Sequence, residues 1–236
     1  MSENEKSRLQ FRNWKNQYID LVDQSADDII SITTAHVPDE KRSQLRERLK
    51  KYSKIVCEIG SGSGGHLLEL AKRSPDALHI GIELRFKRAF RTVEKGKQSG
   101  LHNILMVRGD ARLIAKFFET DEIDTIHLNF PDPWDKPRWH KNRILNASYL
   151  DALVSLLKPG GLFSHKSDHQ AYFAESLSSV QKNKSLEVLK STKDLYKSEE
   201  AATSVPSEFE MMFKSQGLPI GYLLARKIGG NSLLSV

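Results

Sequence analysis

From Lys54 onward, short runs of β-branched and other apolar residues alternate with segments that are apolar only at every third or fourth place. Residues 55–59, 78–83, 103–107, 123–129 and 161–166 read as strands, and 65–73, 86–98, 111–118, 146–157 and 169–181 read as helices. Strands spaced by helix-length segments predict a mostly parallel sheet with helices on both faces. Beyond them lie Leu186 to Leu189, a polar stretch to Pro206, a short helix from Ser207 and a strand-like Ile220 to Arg226. The last two runs are close enough to pair antiparallel at one sheet edge, for seven strands in all.

Residues 1–50 have a different texture. They are polar and basic, with sparse anchors at Phe11, Trp14, Tyr18, Ile19 and Val22, and read as an extension containing short helices. A chain of 236 residues accommodates one sizeable α/β domain and an appendage, but not a cofactor domain with a separate substrate domain. The expected division is a basic N-terminal extension, 1–50, and one α/β domain, 51–236.

Charge changes the picture because it is clustered. The net charge is +6, and residues 41–54 hold seven Lys or Arg against one acid, Glu47. Residues 85–91 hold four and no acid, and 136–143 hold four together with His140. A single such run is an ordinary solvated face, whereas three in one small protein point to a polyanionic partner. The lone Cys57 sits in an apolar run and permits no internal disulfide, which fits a reducing compartment. The first ten residues have no apolar core of signal-peptide length, and no run approaches the roughly 18 apolar residues of a membrane span. A soluble, cytoplasmic protein is expected.

The chemistry concentrates at strand ends. Glu58-Ile-Gly60-Ser-Gly62-Ser-Gly64-Gly65 follows the first strand and opens the first helix, as in turns that bring backbone close to a nucleotide. Gly60, Gly62 and Gly65 also satisfy the dinucleotide fingerprint, so the loop alone does not choose between cofactors. Glu83 closes the second strand, where a carboxylate accepts ribose hydroxyls. Asp110 closes the third, where it either meets an adenine amine or caps the next helix. Three acids around the loop make it a poor host for pyrophosphate and a better one for S-adenosylmethionine, a cation at its sulfur. After the fourth strand, Pro131 and Pro133 stiffen a turn that presents Asp132 and Trp134 ahead of Lys136, Arg138, His140, Lys141 and Arg143. A carboxylate, a flat ring and a group of cations suit a nucleobase on a phosphate chain. Trp134 either stacks on that base or packs as a wedge beneath the loop. His165 and His169 share helical spacing but fall on a strand and its turn, so no metal is expected.

These motifs in this order resemble the bacterial tRNA (guanine-N7)-methyltransferases, over about residues 54–227. The resemblance rests on the glycine loop, Gly81-Ile82-Glu83, Arg108-Gly109-Asp110-Ala111, Phe130-Pro131-Asp132-Pro133-Trp134, Lys166-Ser167-Asp168 and Ser207-Glu208-Phe209-Glu210. It implies a Rossmann-like class I methyltransferase fold, S-adenosylmethionine as methyl donor and tRNA as partner. By it, Glu58, Gly60, Gly62, Glu83, Asp110 and Asp132 contact the donor, with Asp132 also catalytic. Lys136, Asp168, Ser207, Glu208, Phe209 and Glu210 hold the substrate. The family usually has Thr where this chain has Ser207, and Asp135 and Trp139 interrupt its usual basic run. Competing readings are a methyltransferase of an exocyclic amine, since Asp132-Pro133-Trp134 resembles the motif of those enzymes, and a non-catalytic RNA-binding module. A nicotinamide-dependent dehydrogenase is more distant.

Overall fold

The structure, a computed structural model, describes residues 16–32 and 37–229. Phe11 and Trp14, two of the expected anchors, lie outside these residues. The expected α/β alternation is present. Strands β2 (Lys54–Ile59), β3 (Ala77–Glu83), β4 (Ile104–Arg108), β5 (Ile123–Asn129) and β6 (Leu157–Ser167) are parallel to one another. Helices cover both faces, so these strands are buried on both sides, β3 along its whole length. That is why they read as unbroken apolar runs rather than alternating ones. Helices α3 (Gly65–Arg73) and α4 (Phe86–Gln98) follow β2 and β3, and α6 (Ala147–Leu156) and α7 (Gln170–Lys182) flank β6. The stretch expected as one helix over 111–118 is a 3₁₀ turn, Ala111–Leu113, running into the single turn α5 (Ile114–Phe117).

Among the described residues the sheet has eight strands, not seven; with β1 (Ile29–Ser31), β7 (Leu186–Thr192) and β8 (Gly221–Lys227) their order is β1-β4-β3-β2-β5-β6-β8-β7. The additional strand, β1, comes from within residues 1–50 and pairs parallel with β4, following α1 (Gln17–Asp23) and preceding α2 (Asp39–Leu49). Three residues carry too little periodicity to read as a strand. They become one because the open edge of β4 offers unpaired backbone groups, and because Ile29 and Ile30 are buried there. At the other edge, β8 runs antiparallel between β6 and β7, as expected from their proximity in sequence. No described helix is long and apolar enough to cross a membrane.

Strand order reverses between β2 and β5, which pair through Val56 to Ile59 and Thr125 to Leu128. The loops leaving their carboxyl ends must diverge to opposite sides, and the crevice between them is where ligands bind in open α/β sheets.

Candidate active site

The glycine loop leaves β2 and turns back within five residues. Gly60, Gly62 and Gly64 have φ of 70°, 57° and 80°, a region that side-chain-bearing residues enter only with strain. At Gly64 space is also lacking, since a Cβ would stand 2.4 Å from Thr92 Cγ2 on α4. Gly60 and Ser61 donate their amides to Ile82 O of β3 at 2.8 and 3.1 Å. Buried Glu83 holds the loop from the next strand, accepting from Gly62 N at 3.1 Å and Arg85 N at 2.8 Å. Each Glu83 oxygen keeps a lone pair for a hydroxyl. Leu84, beside it, is exposed and offers an apolar surface next to that carboxylate.

Glu58, on β2, is 3% exposed. Its Oε1 accepts from Asn129 Nδ2 at 3.1 Å and lies 3.1 Å from His66 Nδ1. Its Oε2 finds no hydrogen-bond partner among the described residues, and neither do Ser61 Oγ or Asn129 Oδ1. All three residues line one cavity between the ends of β2 and β5, closed on its far side by Ser207, Glu208 and Phe209. Buried polar atoms are almost always paired, and an unpaired one costs about 1–3 kcal/mol. Three around one cavity mark a place built for a polar ligand. Among the described residues that line it none is Lys or Arg, so it suits a cationic group better than a pyrophosphate.

Asn129 and His66 were not among the residues singled out from the sequence, although Asn129 stands in the strand just ahead of the Pro131 turn. His66 packs edge-on against His127 at 5.0 Å. Burial, reinforced by the charges of His66, Lys166 and His79, holds His127 well below the ordinary imidazole range.

Asp110 serves locally as a cap. It accepts from Arg112 N at 3.0 Å and from the Arg112 guanidinium, whose hydrogen bonds pull its carboxyl below the usual range. The carboxylate is still partly exposed at the end of β4, so the cap and a ligand contact are compatible.

The Pro131 turn follows β5 directly. Asp132 is exposed, and non-glycine Phe130 and Trp134 adopt φ of 50° and 47°. Such conformations cost about 1–3 kcal/mol each and persist only when surroundings hold them. Phe130 N donates to Lys166 O at 2.9 Å, and Arg143 Nε donates to Pro133 O at 2.6 Å. Trp134 is 37% exposed and meets Trp139 edge-on at 6.1 Å. Lys136 and Arg138 each sit 5.0 Å over the Trp139 ring, and His140 and Lys141 are also exposed. Arg143, expected among the RNA contacts, departs from this group. It is 7% exposed, paired with Glu175 and stacked 4.9 Å over Tyr172, because its guanidinium turns inward to brace Pro133.

The C-terminal segment divides in the same way. Ser207 and Glu210 form a reciprocal capping box on α8 (Glu208–Ser215). Glu208 and Phe209 are exposed at the cavity rim, and Lys95 Nζ ties Glu208 to the glycine loop through Ser63 O at 3.1 Å. Glu210, expected at the substrate, is fully buried instead. It accepts from Lys166 Nζ at 2.7 Å and from Tyr196 OH at 2.8 Å, because α8 turns that face onto β6. Asp168 is half-buried after β6 and does not cap α7, a role taken by His169, whose Nδ1 accepts from Tyr172 N at 3.0 Å. His165 is buried and bonds Leu128 O through Nδ1, so the two histidines are engaged separately.

A family profile described as "Putative methyltransferase" matches residues 52–223. A tRNA (guanine-N(7)-)-methyltransferase of Clostridioides difficile is 33% identical over 189 residues, which cover 80% of this chain and 87% of that protein. A bifunctional glycosyltransferase/methyltransferase of Fusobacterium nucleatum is 34% identical over 193 residues, 81% of this chain but only 30% of the longer relative. In architecture, the crystal structure of the antibiotic-resistance methyltransferase Kmr superposes with a TM-score of 0.55 at 19% identity, over 80% of this chain and 94% of that one. With identity above 30% across four-fifths of its length, and with the glycine loop, the strand-end acids and the Pro131 turn gathered at one crevice, the chain belongs to the tRNA (guanine-N7)-methyltransferase family.

Proposed function

We propose that the protein transfers a methyl group from S-adenosylmethionine to N7 of a variable-loop guanine in tRNA. The observation that carries this reading is the cavity with buried, unpartnered Glu58 Oε2, Ser61 Oγ and Asn129 Oδ1, beside the turn that presents Asp132. The residues present fit the donor. Glu58 and Asn129 would offer acceptors to its ammonium end, Gly60 has open space on its Cβ side for a close backbone approach, Glu83 would accept from the ribose hydroxyls, and exposed Leu84 with Asp110 would meet the adenine. When bound, S-adenosylmethionine supplies an electrophilic methyl group on a sulfonium.

Guanine N7 carries a lone pair and no proton, so the chain need not supply a general base at that atom. Its work is positioning and charge stabilisation. Asp132 accepts hydrogen bonds from guanine N–H groups and offsets the positive charge that grows on the purine as N7 is alkylated. Trp134 stacks on the base, a contact worth about 1–3 kcal/mol, and Trp139 with Lys136 and Arg138 extends that platform toward the phosphates. His140 and Lys141 add exposed donors, and Asp168 with Ser207, Glu208 and Phe209 bounds the substrate side. Action on tRNA implies a cytoplasmic enzyme.

The test is incubation with labelled S-adenosylmethionine and unmodified bulk tRNA, followed by borohydride and aniline, which break the chain at a cationic 7-methylguanine. Label with cleavage in the variable loop supports the reading. Label without cleavage favours the exocyclic-amine reaction, and no label favours the binding module. Asp132→Asn is expected to cut turnover by about 100-fold or more while donor affinity changes little. Unchanged turnover would remove Asp132 from the reaction.

A further inference from the structure

The Pro131 turn is strained at both ends, at Phe130 and Trp134, yet it is exposed and carries Asp132 between two prolines. Something beyond its own sequence must hold it. Phe130 N on Lys166 O and Arg143 on Pro133 O secure its start and middle. Its far side is held at Asp135, whose Oδ1 lies 2.8 Å from His169 Nε2 and whose carbonyl oxygen lies 3.3 Å from His140 Nε2.

His169 is suited to this because both ring nitrogens are committed. Nδ1 must be unprotonated to accept from Tyr172 N at 3.0 Å, the bond that caps α7. The neutral ring then carries its proton on Nε2, the nitrogen facing Asp135, so one tautomer satisfies both contacts. The cap also removes the cost that makes most exposed pairs worthless: the imidazole is already immobilised before it meets Asp135. The same ring follows Asp168 directly, so it links the turn bearing Asp132 to the other acid expected at the substrate.

We propose that His169 is a positioning residue that, through Asp135, fixes the conformation in which the turn presents Asp132 and Trp134. The importance of that presentation rests on the functional reading above, whereas the tether itself is measurable without it. It also gives a use to Asp135, which interrupts the basic run.

The experiment compares His169→Asn, Asp135→Ala, Asp135→Asn and the double variant His169→Asn/Asp135→Ala in the full chain. Asparagine is among the best N-caps, so His169→Asn keeps the α7 cap while its shorter side chain loses Asp135. Hydrogen exchange over residues 131–139 reads the turn directly. It is expected to quicken about tenfold in His169→Asn and Asp135→Ala, no further in the double variant, and little in Asp135→Asn, which retains an acceptor for Nε2–H. In the methylation assay kcat is expected to fall by a similar factor in the same variants, with KM for S-adenosylmethionine and the melting temperature unchanged. Wild-type exchange in His169→Asn, effects that multiply in the double variant, or an Asp135→Asn as impaired as Asp135→Ala would overturn the inference. If the wild-type protein methylates no tRNA, the functional reading fails, and the exchange data still decide whether the tether exists.

Discussion

Replacing Glu210 by alanine separates a buried structural ion pair from a substrate contact. The three ammonium hydrogens of Lys166 are all used, on Ser204 Oγ at 2.7 Å, Val205 O at 2.9 Å and Glu210 Oε2 at 2.7 Å. Lys166 is 3% exposed and Glu210 0%. Burial pushes the Lys166 ammonium below the usual lysine range, and Glu210 is the main influence pushing it back. Without the carboxylate, a desolvated cation keeps two neutral acceptors and Tyr196 OH loses its acceptor. Breaking one side of such a pair costs about 3–5 kcal/mol, a large part of a typical total of about 5–15 kcal/mol. In a domain of this size that corresponds to a melting temperature lower by roughly 10 °C. Lys166 in the variant binds protons less readily folded than unfolded, so the deficit should shrink as pH rises from 7 towards 10. Urea unfolding followed by circular dichroism measures both, and Lys166→Met with Glu210→Leu should recover most of the loss because neither charge is then stranded. A Glu210→Ala variant within about 1 kcal/mol of wild type that loses only tRNA affinity would refute the reasoning.

Other outcomes follow from the same geometry. Glu58→Gln removes the charge facing the cavity and should raise the Kd for S-adenosylmethionine roughly 10- to 100-fold by calorimetry, the worth of a charged hydrogen bond, with little change in melting temperature. Arg143→Ala should destabilise by about 1.5–3 kcal/mol through its lost bond to Pro133 O. Arg138→Ala should leave stability within about 0.5 kcal/mol and lower the salt dependence of tRNA binding by roughly one phosphate contact. Acid should destabilise the fold. Burial depresses His165 to about 4, and His127 also lies below the ordinary 6.5, so the unfolded chain takes up protons that the native state refuses. Stability should therefore begin to fall below about pH 6.5, His165 alone accounting for roughly 3 kcal/mol by pH 4. A flat urea midpoint across that range would count against neutral buried imidazoles.

The parts of this protein that were legible in its sequence depend on local backbone chemistry. Apolar runs of strand length, helical periodicity and glycines at the first strand end prescribe conformations that neighbours in the chain enforce, so the alternation, the glycine turn and the strand-end acids Glu58, Glu83 and Asp110 were all locatable. The antiparallel edge was legible because β7 and β8 are near one another in the chain. The order of the motifs identified the crevice because strand ends in such a sheet face one side.

Burial and partnership depend instead on which distant segments meet. Arg143 and Arg138 look alike in a basic run, but Tyr172 and Glu175 of α7 cover the first, whereas the second stays exposed over Trp139. Glu210 reads as a solvated helix carboxylate until α8 lies on β6 and brings Lys166 to it. Ile29 to Ser31 is a strand only against β4. The left-handed conformations of Phe130 and Trp134 oppose their own residue types and exist because Lys166, Arg143 and His169 hold the turn from other elements. A chain encodes its local dihedral preferences residue by residue. The dielectric around a side chain and the atoms it can reach are created only when segments tens of residues apart close over it.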